Sequence, residues 1–475
     1  MKNTATTRVE HDLLGDMEVP ADAYYGVQTL RAAQNFRLTG IILSHYPSLI
    51  KGLAIVKLAA AEANYELGDL PEDKYKAIAK ACQRLMNNEF NDQFIVDMIQ
   101  GGAGTSTNMN ANEVIANIAL EEMGKQKGEY QFLHPNNDVN MAQSTNDAYP
   151  TAVRVGLLLI NEMLIESLSN LCKAFRRKGA EFADIIKMGR TQLQDAVPMT
   201  LGQEFNAFAT TLEDDLERLK TYPLDWLTEI NMGGTAIGTG INTDPKYQHL
   251  VTEKLCKISG LKFRSAPDLI EASWDMGGFI MFSGQLKRLV VKISKICNDL
   301  RLLSSGPRTG IGEINLPARQ PGSSIMPGKV NPVIPEAVNQ VSFAVMGNDL
   351  AITIAAEAGQ LQLNVMEPLI AYKMFDSIRM IKRAMDMLRE ECIDGITANA
   401  ELCQRLVENS IGLVTALNPY IGYENCTRIA KEALQSGKGV LELVREEKLL
   451  SEEELADILK PKNMIAPREV KHKKA

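Results

Sequence analysis

Positive charge is not in excess in this chain of 475 residues: 51 Lys and Arg stand against 59 Asp and Glu, a formal net charge of −8. That balance excludes a nucleic-acid binder, whose phosphate contacts need a basic face. The one basic cluster, Lys471, His472, Lys473 and Lys474, reads as a solvated tail. No apolar run approaches the roughly 18 residues of a membrane span, since Val155 to Ile160 is broken by Asn161 and Glu162. The first residues carry Lys2, Arg8, Glu10 and Asp12 and no apolar core of a secretory signal. The seven cysteines (82, 172, 256, 297, 392, 403 and 426) are odd in number and never in CxxC spacing. A disulfide framework and a thiolate zinc site are both excluded, and cytoplasmic, reduced core residues are expected. Histidine occurs five times, with no HExxH and no carboxylate cluster to suggest a catalytic metal. Gly 34 and Pro 19 are too few for a collagenous or low-complexity chain.

What is there is mostly helical. Apolar residues fall at Leu157, Ile160, Leu164, Leu168, Leu171 and Phe175, and again at Leu286, Leu289, Ile293, Ile296, Leu300 and Leu303. Steps of three and four mark helices that bury one face. Strand-type alternation is scarce and aromatic residues make up only 6%, so the fold class is mainly α with long helices. Pro368 interrupts the apolar pattern from Leu363 to Met387, and a kink is expected there. The helix that follows Gln143 to Asp147 is expected to start near Pro150. Three blocks follow: 1–143 mixed loops and helices, 144–395 long helices, and 396–475 a small helical cap. In the last, Ser451 and Glu454 form a capping box ahead of Leu455 and Ile458. The turn-rich stretch Ser304 to Asn331 is too long for a plain connection, and such loops are usually functional.

Four polar clusters stand in apolar or glycine-rich surroundings: Gly104 to Asn110, Gln143 to Asp147, Gly189 to Asp195, and Gly322 to Pro332. Singly, each fits an ordinary helix cap. Together, hydroxyls, amides and backbone N–H groups at helix starts make a concave anion site, to which Lys329 adds a fixed charge. This inventory suits a small dicarboxylate. The run Met232 to Gly240 superficially resembles a phosphate loop but lacks the Walker lysine and a preceding strand; tight packing or site-loop geometry explains it better. Ser323 has no GxSxG elbow, which argues against a Ser-His-Asp hydrolase.

Gly322-Ser323-Ser324-Ile325-Met326-Pro327-Gly328-Lys329-Val330-Asn331-Pro332 resembles the signature of the fumarase/aspartase superfamily. Arg190 to Asp195 and Gly233 to Asn242 are similar to other blocks of that superfamily. Glu10 to Gly15, Tyr24 to Gly26, Gln143 to Tyr149 and Glu357 to Pro368 resemble its aspartase branch. The likeness runs from about Arg8 to the 460s. It implies a mainly α, three-domain fold with a long central helical bundle, and a homotetramer whose sites each draw on three subunits. The implied reaction is reversible anti-elimination of ammonia from L-aspartate to fumarate, with no required cofactor and with activation by a divalent cation left open. Neither a nucleic acid nor a membrane is an expected partner.

Carried over by position, the resemblance makes Ser323 the catalytic base. Ser144, Thr145 and Ser324 would hold the reacting carboxylate, and Thr191, Lys329 and Asn331 the other. Thr105 and Asn146 would face the amino group. Gln192 departs from the hydratase pattern, which has histidine there. A glutamine can hydrogen-bond an amine but exchanges no proton near neutral pH. Ammonia leaves without a general acid, whereas hydroxide needs one, so the residue favours deamination. Glu336, the partner of that histidine in hydratases, remains and would orient Gln192 or Lys329. His134 to Asp138 resembles a second anion-binding segment of fumarases, but Asn137 stands where that pattern has Asp, and a tight turn reads better. A fumarate hydratase or another lyase of the superfamily, and a catalytically inactive helical scaffold, are the alternatives.

Overall fold

The structure, a computed structural model, describes residues 6–465. The basic cluster at 471–474 lies outside them, as does Lys2. Fifteen α-helices dominate the described residues. The first four are α1 (Val27–Asn35), α2 (Pro47–Leu67), α3 (Glu72–Met86) and α4 (Thr105–Glu122). The long ones follow: α5 (Thr145–Glu181), α6 (Leu201–Leu227), α7 (Tyr247–Ser259), α8 (Gly277–Leu303), α9 (Val333–Glu357) and α10 (Glu367–Glu391). The chain ends through α11 (Ala400–Asn409), α12 (Val414–Ser436), α13 (Val440–Glu446), α14 (Glu452–Ile458) and α15 (Pro461–Met464). The fold is mainly α, as the periodicity predicts.

Every residue of the two apolar stripes, on α5 and α8, is buried. By length and composition α5 could cross a bilayer, but more than half of its most apolar window is buried inside the protein, as in a core helix. Burial resolves what length alone leaves open.

Among the described residues, strands form four two-stranded ribbons. Antiparallel pairs are β1 (Thr7–Asp12) with β2 (Gly15–Pro20), β3 (Ile186–Thr191) with β4 (Gln194–Thr200), and β7 (Ile314–Asn315) with β8 (Thr397–Ala398). The pair β5 (Glu229–Ile230) and β6 (Arg264–Ser265) is parallel.

Two compact units emerge. Among the described residues, one comprises 6–165, 217–290 and 343–381, the other 166–216, 291–342 and 382–465. In the second, Ile186 and Met188 of β3 share a core with Val407, Leu417, Ile429, Leu443, Leu455 and Ile458. The capping box is present: the Ser451 side chain accepts from Glu454 N–H, and the Glu454 carboxylate takes the Ser451 N–H.

Two proline expectations are corrected. Pro368 does not kink a helix; it sits in the first turn of α10, where its missing N–H has no intrahelical partner to lose. Pro150 does not start a helix either, because α5 begins five residues earlier and carries it inside.

Candidate active site

In the first unit, the clusters at 104–110 and 143–147 converge on one surface. Gly104 has φ +92°, and a Cβ there would lie 2.5 Å from the Tyr149 ring, so only glycine lets α4 start against α5. Asn108 Nδ2 donates to Thr145 Oγ1 at 3.2 Å and to Asn140 Oδ1 at 3.1 Å. Thr105 is exposed at the head of α4, and Ser144, Thr145 and Asn146 are half-buried.

Proline inside α5 has a local consequence. Pro150 has no N–H for the carbonyl of Asn146, and that carbonyl accepts Asn231 Nδ2 at 2.9 Å instead. Asn146 Nδ2 in turn donates to the carbonyl of Ala236 at 2.7 Å. Asp147, wholly buried, completes the tie. Its Oδ2 accepts the N–H groups of Gly233 (3.1 Å) and Thr235 (2.9 Å), and its Oδ1 that of Ser144 (2.9 Å). Two N–H groups of the glycine loop are therefore occupied by a side chain of this protein, which explains that loop as site geometry and not a phosphate cradle. Burial pushes the Asp147 carboxyl up to about 6, against the pull of those three N–H donors.

Beneath this surface lies Lys57, the buried one of the two lysines in the apolar helix α2. Its Nζ donates to Asn140 Oδ1 at 2.9 Å and to Gln143 Oε1 at 2.8 Å. Burial lowers its pKa to about 7. Lys57 and the anchoring role of Asp147 escape a reading by periodicity; the one available signal was a lysine amid alanines and valines.

The 134–138 segment is a single π-type turn, Pro135–Val139. His134 Nδ1 accepts from the N–H groups of Asn136 and Asn137, and Asp138 pairs with Lys74 at 2.8 Å. These polar groups answer one another, in keeping with a tight turn.

In the second unit, β3 and β4 form a hairpin in which Thr191 pairs with Gln194. Its two central residues, Gln192 (φ 52°) and Leu193 (φ 62°), are both left-handed, as the right-handed strand twist demands of a two-residue turn. Neither is glycine, so the tip is strained. Thr191 and Gln192 are exposed at this tip.

The fourth cluster closes a loop on itself. Gly322 N–H donates to the carbonyl of Lys329 at 2.7 Å, and Asn331 Nδ2 to the carbonyl of Gly322 at 3.0 Å. A Cβ on residue 322 would lie 2.7 Å from that Lys329 oxygen, which requires glycine. Inside the loop, Ser323 Oγ accepts the N–H groups of Ile325 (3.2 Å) and Met326 (3.1 Å). Ser324 is exposed. Lys329 and Asn331 line a cavity of about 890 Å³ with Arg301, Ser304 and Ser305. Glu336 is exposed in the first turn of α9.

The sequence profile of the lyase family matches residues 15–347, and that of the fumarase C C-terminus matches residues 413–466. The chain belongs to the fumarase/aspartase superfamily. An aspartate ammonia-lyase of Pseudomonas aeruginosa is 74% identical over 98% of the chain and 99% of its own length. That of Escherichia coli K12 is 55% identical, with 97% and 96% covered. Among solved structures of the superfamily, a fumarate lyase:delta crystallin of Brucella melitensis, bound to cobalt, superposes with a TM-score of 0.94 at 57% identity, over 97% of this chain and all of that one. A class II fumarase of Schistosoma mansoni does so with a TM-score of 0.91 at 33% identity, over 98% and 100%.

Proposed function

We propose that this lyase is an aspartate ammonia-lyase, releasing ammonia from L-aspartate to leave fumarate, reversibly. The observation that carries the reading is the likeness to enzymes of that name over nearly the whole chain, up to 74% identity among those compared. Gln192 at an exposed hairpin tip supports it independently, because the side chain offers an amide to an amine and no acid to a departing hydroxide.

The chemical difficulty is to take a weakly acidic proton from the carbon beside a carboxylate. In this reading Ser323 takes it. A free serine is a poor base, but Oγ here already receives two backbone N–H groups, and both favour its deprotonated form. Removing the proton builds an aci-carboxylate of double charge, which Ser144, Thr145 and Ser324 would hold through aligned donors. Thr191, Lys329 and Asn331 fix the far carboxylate. Thr105, Asn146 and Gln192 face the amino group, which leaves as neutral ammonia. The reading assigns no cofactor. Activation by a divalent cation is decided by assay after chelation and again with added magnesium.

The assembly in this reading is a homotetramer. Support comes from α9, which is apolar on two faces: Val338, Val345 and Ile352 are buried, while Phe343, Leu350 and Ile354 are each about 60% exposed at helical spacing. Light scattering should return four chains per particle; a monomer would refute this part. A reducing, cytoplasmic setting suits the seven free thiols.

The deciding experiment gives the purified protein L-aspartate and, separately, L-malate, and follows the absorbance of the fumarate double bond. Fumarate with equimolar ammonia from aspartate alone is expected. Fumarate from malate alone would make the enzyme a hydratase and overturn the argument from Gln192. No product from either would leave a lyase of another amino-acid adduct or a helical scaffold.

A further inference from the structure

Behind the hairpin tip lies a charge cluster to which the proposed chemistry gives no part. Glu313 is wholly buried, yet it belongs to the long connection 304–331 and not to a helix. Its Oε1 accepts from Arg190 Nη1 at 2.7 Å, and its Oε2 lies 2.9 Å from Lys187 Nζ. Lys187, 3% exposed at its side chain, also pairs with Glu204 of α6 at 2.5 Å. Two cations thus meet two carboxylates in a cluster whose centre, Glu313 and Lys187, is shut off from water, where each charge needs its partner.

The main chain of Glu313 is as firmly held as its carboxylate. Its N–H donates to the carbonyl of Leu303, the last residue of α8, at 2.9 Å. Its carbonyl accepts the N–H of Asn399 at 2.9 Å, immediately before α11. The next two residues are β7, paired with β8. Glu313 is therefore a fixed point, and β3 is what it fixes. Arg190 directly precedes Thr191, and Gln192 is the residue after that. Ten residues beyond Glu313 in the other direction comes Ser323.

We infer that Glu313 is a positioning residue: through Lys187 and Arg190 its carboxylate locks the hairpin that presents Thr191 and Gln192 onto the root of the loop that carries Ser323. What those three residues do with substrate rests on the function proposed above; the lock itself is read from geometry. It also accounts for how a strained two-residue turn keeps one direction, since the strain is set against a charged anchor two residues away.

Glu313→Gln is the first test. The amide would present N–H groups to Lys187 where a carboxylate oxygen stood. With Thr191 and Gln192 misplaced, substrate is bound less well before and during reaction alike, so KM for L-aspartate should rise about tenfold with kcat much less affected. Amide hydrogen exchange should quicken at 188–195 and 304–322 while 143–149 stays as in the parent. The second variant, Lys187→Met with Glu313→Gln, also removes the buried cation that has lost one of its two carboxylate partners. It should melt close to the parent and keep the raised KM. Recovery of KM along with stability in the double variant would overturn the inference, as would unchanged exchange at 188–195 in both. Should the parent protein fail to act on L-aspartate, the proposed function falls, and the exchange measurement still decides the lock.

Discussion

Ser323, the base in the proposed mechanism, illustrates how neighbours would prepare a residue for that role. Its oxygen is met by N–H groups two and three residues on, inside a loop pinched shut between Gly322 and Lys329. Ser323→Ala keeps the loop's own backbone bonds, so the particle size should not change, while turnover should fall by about 10²–10⁴-fold, the range for losing a general base. Loss of the assembly in that variant would mean that Ser323 is structural. Gln192 permits a complementary experiment. Gln192→His places a group that titrates near pH 6.5 at the tip, so the pH profile of kcat/KM for L-aspartate should gain an inflection between about pH 6 and 7. A profile identical to that of the parent would show that the side chain does not face the reacting group.

Among the elements, what sequence could and could not tell divides along physical lines. Helical periodicity is a local signal, and the stripes on α5 and α8 and the Ser451 cap were legible because each is written within a few residues. Polar ties across the chain leave no such period. Nothing near Asp147 announces that its carboxylate will seize Gly233 and Thr235, nearly ninety residues away. The same holds for Lys57 under Asn140, and for Glu313 on Lys187. Prolines misled for a related reason: at Pro150 the orphaned carbonyl found a partner in Asn231, which only the folded chain supplies. The four clusters were visible as composition. Their arrangement on α4, α5 and the two closed turns required the fold. The Asp147 tie yields its own test. Asp147→Asn retains the shape but cannot accept three N–H groups with equal strength, and should destabilise by about 1–3 kcal/mol. Lower thermal stability together with faster amide exchange at 232–240 is expected; a rigid, unchanged glycine loop would contradict the tie.

For the molecule as a whole, three wholly buried carboxyls set the response to pH. Burial raises Glu113 to about 7, Asp147 to about 6 and Glu367 to about 8. Each holds its proton in the folded chain over a range where the unfolded chain has lost it. Their contribution to stability is complete below the unfolded values, near 4, and is lost as pH rises through the folded ones. Lys57, lowered to about 7, acts in the opposite sense: the unfolded chain binds its proton between about pH 7 and 10, so stability rises with pH there. Glu367→Gln removes one ionisable carboxyl without changing its size. Its melting temperature should match the parent near pH 5 and exceed it increasingly towards pH 8. An offset that stays constant with pH would show that Glu367 does not titrate in the folded protein.

The hairpin tip separates folding from chemistry. Its shape comes from the β3–β4 ladder and the ion cluster behind it, and the residue at 192 is asked only to tolerate a left-handed backbone. Histidine tolerates that conformation better than glutamine does. In the proposed reading, a lineage could therefore exchange one leaving group for another at this position without rebuilding the scaffold, and the form with glutamine carries the less relaxed backbone of the two.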